Sequence, residues 1–97
     1  MQMRMLVDVD LDTEKGNELL RSGRMGDVMQ SIMATVRPEA ACFHERSGGR
    51  AITLVVEAAD NASMVPLLQP FWLELGARVH AVPCMTADDL AEGMGRL

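Results

Sequence analysis

Between Met3 and Asp10 the chain alternates, with Met3, Met5, Val7 and Val9 on one side and Arg4, Leu6, Asp8 and Asp10 on the other. That period of two predicts a β-strand. The period then lengthens: Leu19, Leu20, Met25, Val28, Met29, Ile32, Met33 and Val36 recur at helical spacing, and Asp12 or Thr13 can cap the helix they imply. Gly23 and Gly26, close behind Ser22, predict a break or kink near residues 22–24. Pro38 closes the helical region, because the residue before a proline is pushed out of the α basin.

Alternation returns from about Glu39 to Ala58, interrupted only by Ser47-Gly48-Gly49-Arg50. A Gly-Gly pair supplies the two positive-φ residues of a type I′ turn, so the expected hairpin sets Ser47 opposite Arg50. Counting outward, Phe43 meets Leu54, Ala41 meets Val56 and Glu45 meets Ile52 on a mostly apolar face. His44 meets Thr53, Cys42 meets Val55 and Arg46 meets Ala51 on a mixed one.

Asp60 or Asn61 can open the next helix. Pro66 is tolerated in its first turn, but Pro70 removes a further backbone donor, which predicts a segment that is short, kinked, or two turns joined. Gly76 ends it. A last strand is expected from about Ala77 to Met85, and Thr86-Ala87-Asp88-Asp89 caps a final helix reaching about Met94. Strand, helix, strand, strand, helix, strand and a terminal helix make the α+β, ferredoxin-like βαββαβ pattern. The expected antiparallel strand order is 4-1-3-2, with both main helices on one face. The other face carries Leu6, Cys42, Val55 and Val82 among its polar groups, so it is expected to meet a second subunit in a homodimer.

With 97 residues, the chain is expected to form one domain over residues 1–97. Only two Phe, one Trp and no Tyr are present against nine Met, a residue that packs adaptably but specifies a core weakly, which again favours a partner subunit. A net charge of −5 with no cluster of Lys and Arg argues against nucleic acid as a partner. There is neither an apolar run near 18 residues nor a basic segment leading into a hydrophobic one, so no membrane span or signal peptide is expected and the expected location is the cytoplasm. Cys42 and Cys84, in predicted strands and without CxxC spacing, read as small buried hydrophobes in a reducing compartment.

Arg37-Pro38-Glu39-Ala40, Gln69-Pro70-Phe71-Trp72-Leu73 and Met85-Thr86-Ala87-Asp88-Asp89-Leu90 together resemble a family of small, uncharacterised bacterial proteins. In layout the chain is similar to the dimeric α+β barrel superfamily, which includes antibiotic-biosynthesis-type monooxygenases, muconolactone-isomerase-like enzymes and stress-responsive barrel proteins. The resemblance implies a homodimer more strongly than it implies a reaction.

His44 and His80 can exchange protons near neutral pH, and parity puts both on the mixed face. They belong to strands at opposite edges, about 14 Å apart at the usual strand spacing, too far to share a metal within one subunit. The same separation argues against a Cys42–Cys84 bridge. Asp8, Thr53 and His80 can line one patch of that face, with Arg46 and Arg78 as the charges of an alternative, salt-bridged dimer seam. Trp72 is either a pocket wall or part of the core or dimer interface. Arg21 to Gly26 match no phosphate-loop spacing, and no GxSxG, HExxH or paired CxxC occurs. The expected ligand-binding residues are thus His44, His80, Asp8 and Trp72, with no metal and no nameable cofactor. The leading expectation is a homodimeric binding or structural module holding a small apolar or acidic ligand. The alternatives are a cofactor-independent monooxygenase or isomerase using His44 or His80, and a regulatory subunit that docks on another protein.

Overall fold

In a computed structural model that describes residues 3–97, β1 (Met3–Asp10) leads to α1 (Thr13–Arg21), α2 (Met25–Val36), β2 (Ala40–Arg46) and β3 (Gly49–Ala58). Then follow α3 (Met64–Leu75), β4 (Arg78–Pro83) and α4 (Ala87–Met94). The strands form one antiparallel sheet in the order β2-β3-β1-β4, the expected 4-1-3-2 order seen from the other edge. The chain has the ferredoxin-like fold, with its first helix divided at Ser22-Gly23-Arg24 and a fourth helix appended.

Alternation in β1 and β3 decides which face is the core. Met5, Val7 and Val9 of β1 and Ile52, Leu54 and Val56 of β3 are buried against Leu19, Ile32, Val36, Leu68, Phe71 and Leu75 of the first three helices. Burying side chains of this size contributes about 1.5–3 kcal/mol each, which makes this one-sided layer the main source of stability. The opposite face, with Leu6, Asp8, Asp10, Thr53 and Val55, has no helix over it and stays part-exposed.

The hairpin turns one residue earlier than the Gly-Gly reading expects, which moves every pairing partner by two. Ser47 (φ 52°) and Gly48 (φ 82°) take the two left-handed positions, and Gly49 opens β3 opposite Arg46. Phe43 therefore pairs with Ile52, Cys42 with Thr53 and His44 with Ala51. A serine at positive φ is strained, and the Glu45 carboxylate, accepting from the Gly48 N–H at 2.7 Å, fastens the turn in this position. A slip of two leaves every side chain on its expected face, because the strand period is two. Phe43 is on the helix side as expected, yet 58 % exposed, since β2 is an edge strand beyond the cover of the helices.

α3 is one continuous helix of 12 residues with Pro70 inside it, neither short nor two turns joined. Pro70 deprives the Pro66 carbonyl of its partner, but Pro66 is exposed in the first turn, where water can take the donor's place. The two cysteines also depart from expectation: both are free, Cys42 is exposed on the uncovered sheet face, and Cys84 is half-buried just past β4.

α4 begins with the expected cap, a reciprocal capping box between Thr86 and Asp89. It buries none of its residues. The chain's radius of gyration is 15.1 Å, against about 12.5 Å for a compact chain of this length, and its long dimension is 53 Å. No helix among the described residues is long and apolar enough to cross a membrane.

Candidate functional site

Register places the polar side chains of the uncovered face in transverse rows. His80, Asp8, Thr53 and Cys42 lie in one row across β4, β1, β3 and β2, and Arg78, Asp10, Ala51 and His44 lie in the next. A third row, Val82, Leu6, Val55 and Ala40, is apolar. The sheet thus sets a charged band beside a hydrophobic one.

Within the charged band the side chains form a chain of contacts. The Thr53 hydroxyl donates to Asp8 Oδ1 at 2.9 Å and meets His44 Nε2 at 2.8 Å, while His44 Nδ1 lies 3.0 Å from the Glu45 carbonyl oxygen. A carbonyl only accepts, so Nδ1 must donate there; a threonine that donates to Asp8 must accept from Nε2. All three bonds form together when the imidazole carries both protons, and a neutral ring gives up one of them. His44, Thr53 and Asp8 therefore stand in series as imidazole, hydroxyl and carboxylate.

Arg46 closes the other side of Asp8. From β2 its guanidinium crosses β3 to donate through Nη2 to Asp8 Oδ1 at 2.9 Å and through Nη1 to Asp10 Oδ1 at 3.2 Å. What leaves room for the crossing is Ala51, small and 3 % exposed although it lies on the uncovered face. Asp8 and Asp10 are consecutive outward positions of β1, and one arginine spans both. The Thr53 hydroxyl first, then Arg46, hold the Asp8 carboxyl below the usual carboxylate range, and His80 adds a weaker pull. The same carboxylates raise the Arg46 guanidinium above its ordinary value.

A depressed native pKa gives Asp8 a contribution to stability that is present above the ordinary carboxylate range, near pH 4, and is lost as pH falls through the native value. Thr53→Val keeps the shape and removes the largest cause, so the Asp8 titration followed by carboxyl-carbon NMR should move up toward the ordinary range, at a cost of about 1 kcal/mol in urea unfolding. An unchanged Asp8 titration would show that the hydroxyl does not hold it.

The expected ligand residues are not all brought together. His44 and Asp8 are linked through Thr53, and His80 is the cross-strand neighbour of Asp8. His44 and His80 themselves sit on β2 and β4, the two edges of the sheet. Trp72 belongs to α3 on the helix side, 44 % exposed, so it walls no pocket with the other three. Its neighbour Phe71 takes the inward position instead. Among the described residues no group of three or more His, Cys, Asp or Glu is placed to hold a metal.

Sequence reading missed the end of the sheet where β2 turns into β3. A cavity of about 560 Å³, open to solvent, lies there between the β1–α1 connection and the turn, with Asp10, Asp12, Arg46, Arg50 and Arg78 on its wall. A smaller one of about 320 Å³, which shares Arg50 with it, touches His44 and Asn17. Arg50 is contacted across 33 residues of sequence by Asn17 Oδ1, at 2.9 Å. A pairing between a helix and a strand so far apart leaves no local signal.

No protein-family model matches the chain, and no curated protein matches it in sequence. Solved structures do resemble it. An uncharacterized protein from Thermotoga maritima is 18% identical over 88% of this chain and 100% of that one, with a TM-score of 0.54. An unknown protein from Galdieria sulphuraria is 10% identical over 90% of this chain and 48% of that one, with a TM-score of 0.52, so the chain spans about half of it. A looser likeness, 11% identical over 89% of this chain and 95% of that one with a TM-score of 0.39, is to a dimeric ferredoxin-like protein from an uncultured marine organism. At these identities the likeness is one of fold.

Proposed function

We propose that the chain works as a homodimeric module whose two copies meet through their uncovered sheet faces, with α4 of each copy laid on the other, and that it binds a small ligand rather than transforming one. The observation that carries this is α4. Ala87, Leu90, Ala91 and Met94 follow the i, i+3, i+4, i+7 spacing of an apolar stripe, opposite Asp88, Asp89 and Glu92, and Leu90 and Met94 are 52 % and 60 % exposed. A helix so well capped, with its stripe in water, has the form of an element awaiting a partner.

Size and position favour a second copy. Four strands about 4.8 Å apart and roughly seven residues long give a sheet face of about 19 by 23 Å. That is short of the roughly 800 Å² per partner that a stable interface buries, and α4 can supply the difference. Its start lies beside the sheet, since Cys84, two residues before the Thr86 cap, donates its N–H to the Arg4 carbonyl of β1 at 3.0 Å. The face is also suited to meeting itself, because Arg46 already pairs with both Asp8 and Asp10 within one chain, leaving one negative charge among the three, and the apolar row is left for contact. Sedimentation equilibrium at micromolar concentration should give twice the chain mass; a monomer would overturn the reading.

The relay through His44, Thr53 and Asp8 keeps a monooxygenase or isomerase as the second reading. It is the weaker one, because His44 and His80, the groups such an enzyme would use, are both exposed and stand on opposite edges of the sheet, where water is not excluded from either.

A further inference from the structure

We propose that the cavity at the turn end of the sheet binds the oxyanion group, phosphate or carboxylate, of a small molecule, with Arg50 and Arg78 as its ligands. This names a site for the ligand of the preceding reading, but all its residues come from one chain.

The charges on the cavity wall divide into those already matched and those not. Asp10 accepts from Arg46, and Arg46 is shared between Asp8 and Asp10. Asp12 caps α1, accepting from the Lys15 N–H at 2.9 Å. Arg50 and Arg78 remain, and among the described residues neither has a carboxylate partner. The wall thus carries three guanidinium groups and two carboxylates, a net positive charge in a chain of net charge −5.

Arg50 is also held in a way that solvation alone does not explain. It is half-buried, its Nη2 donates to a neutral amide, and its Nη1 passes so close to α1 that a Cβ at Gly16 would lie 2.7 Å away. Gly16 is buried inside a helix of 9 residues, where glycine costs about 1 kcal/mol relative to alanine. The helix gives up that stability at the one place where the guanidinium needs the space. A guanidinium has five N–H donors in a planar fork suited to a pair of oxygens, so a single bond to Asn17 leaves most of the fork for a ligand. The volume of about 560 Å³ falls in the usual range for small-molecule sites.

The test is amide NMR of the full chain at low ionic strength, titrated separately with inorganic phosphate and with succinate. Saturable shifts should appear at Gly48, Gly49, Arg50 and Gly76; a response to phosphate alone assigns a phosphate ester, and one to succinate alone a carboxylate. Arg50→Gln should weaken binding about tenfold or more, the loss of one charge-assisted fork. Since that variant disturbs α1, Arg78→Gln and Gly16→Ala decide the matter. Gly16→Ala keeps every charge and favours the helix, so it should weaken binding several-fold while the melting temperature holds or rises. The absence of saturable shifts with either anion up to tens of millimolar, or wild-type binding by both variants, would overturn the site. Sedimentation of the same samples separates the two ideas: a monomer that binds sinks the dimer alone, and a dimer that does not bind sinks the site alone.

Discussion

Val55→Arg is expected to leave a folded monomer. Val55 is half-exposed in the apolar row of the uncovered face, paired with Leu6 on one side and Ala40 on the other, so arginine there costs the isolated chain little. In a two-fold pairing of that face the cost changes sharply. The same patch serves both copies, and one substitution places two guanidinium groups in the seam. Burying charge without a partner costs several kcal/mol, and about 3 kcal/mol already raises the dissociation constant more than a hundredfold. Sedimentation equilibrium should follow the loss of dimer while circular dichroism and the urea midpoint of the monomer show the fold intact. Leu90→Glu, which strikes the α4 stripe at its centre, should weaken the dimer by a smaller factor, about tenfold. A dimer unmoved by Val55→Arg would mean that the uncovered face is not the interface, and one weakened by Leu90→Glu alone would leave α4 as an arm reaching elsewhere.

The elements that depend on neighbours in sequence are the ones legible from it. Met3 to Asp10 alternates because both its faces have different fates, and Thr86 with Asp89 closes a cap within one turn; each is recovered at its observed boundaries. The hairpin is half legible. Periodicity assigns His44, Thr53 and Asp8 to one face whatever the turn, but the choice of Ser47-Gly48 over Gly48-Gly49 rests on one side-chain bond from Gly48 to Glu45 that composition does not announce. Pro70 misleads as to the segment's length, because a propensity rule counts the missing donor without knowing that Pro66, whose carbonyl is orphaned, is an exposed residue. Phe43 and Cys42 mislead in the same way, since burial belongs to the layer above a strand and not to the strand. Least legible are Arg46 and Arg50. Arg46 crosses a whole strand over Ala51 to reach β1, and Arg50 meets α1 at Gly16 and Asn17, so neither contact exists until the sheet and helix are assembled. The candidate chemistry of this fold lies mostly in such contacts, which is why the fold is readable further than the site.

Phe71→Ala is expected to remove most of the fold's stability, and Trp72→Ala to remove little. The two aromatics are adjacent on α3, yet one helical step of about 100° turns Phe71 to 1 % exposure and leaves Trp72 at 44 %. Truncating a buried phenylalanine costs about 3–5 kcal/mol, through lost transfer energy and the cavity left behind, out of a total of about 5–15 kcal/mol for a domain of this kind. The loss should also reach the uncovered face: alanine keeps the carbonyl that accepts the Ala77 N–H at 3.1 Å, but loses the packing that fixes its place at the entry into β4, the strand of Arg78 and His80. Trp72→Ala removes a large ring that is nearly half in water, so a shift within about 1 kcal/mol is expected and Asp8 should titrate as before. Urea unfolding of the two variants, with Phe71→Leu as a volume-sparing intermediate, checks the order. If Trp72→Ala proved as costly as Phe71→Ala, the ring would have to be covered in solution, and the helix face, not the sheet face, would carry a subunit contact. The adjacent pair therefore tests whether the layer of helices is the finished side of this molecule, leaving the sheet as the side that still has something to meet.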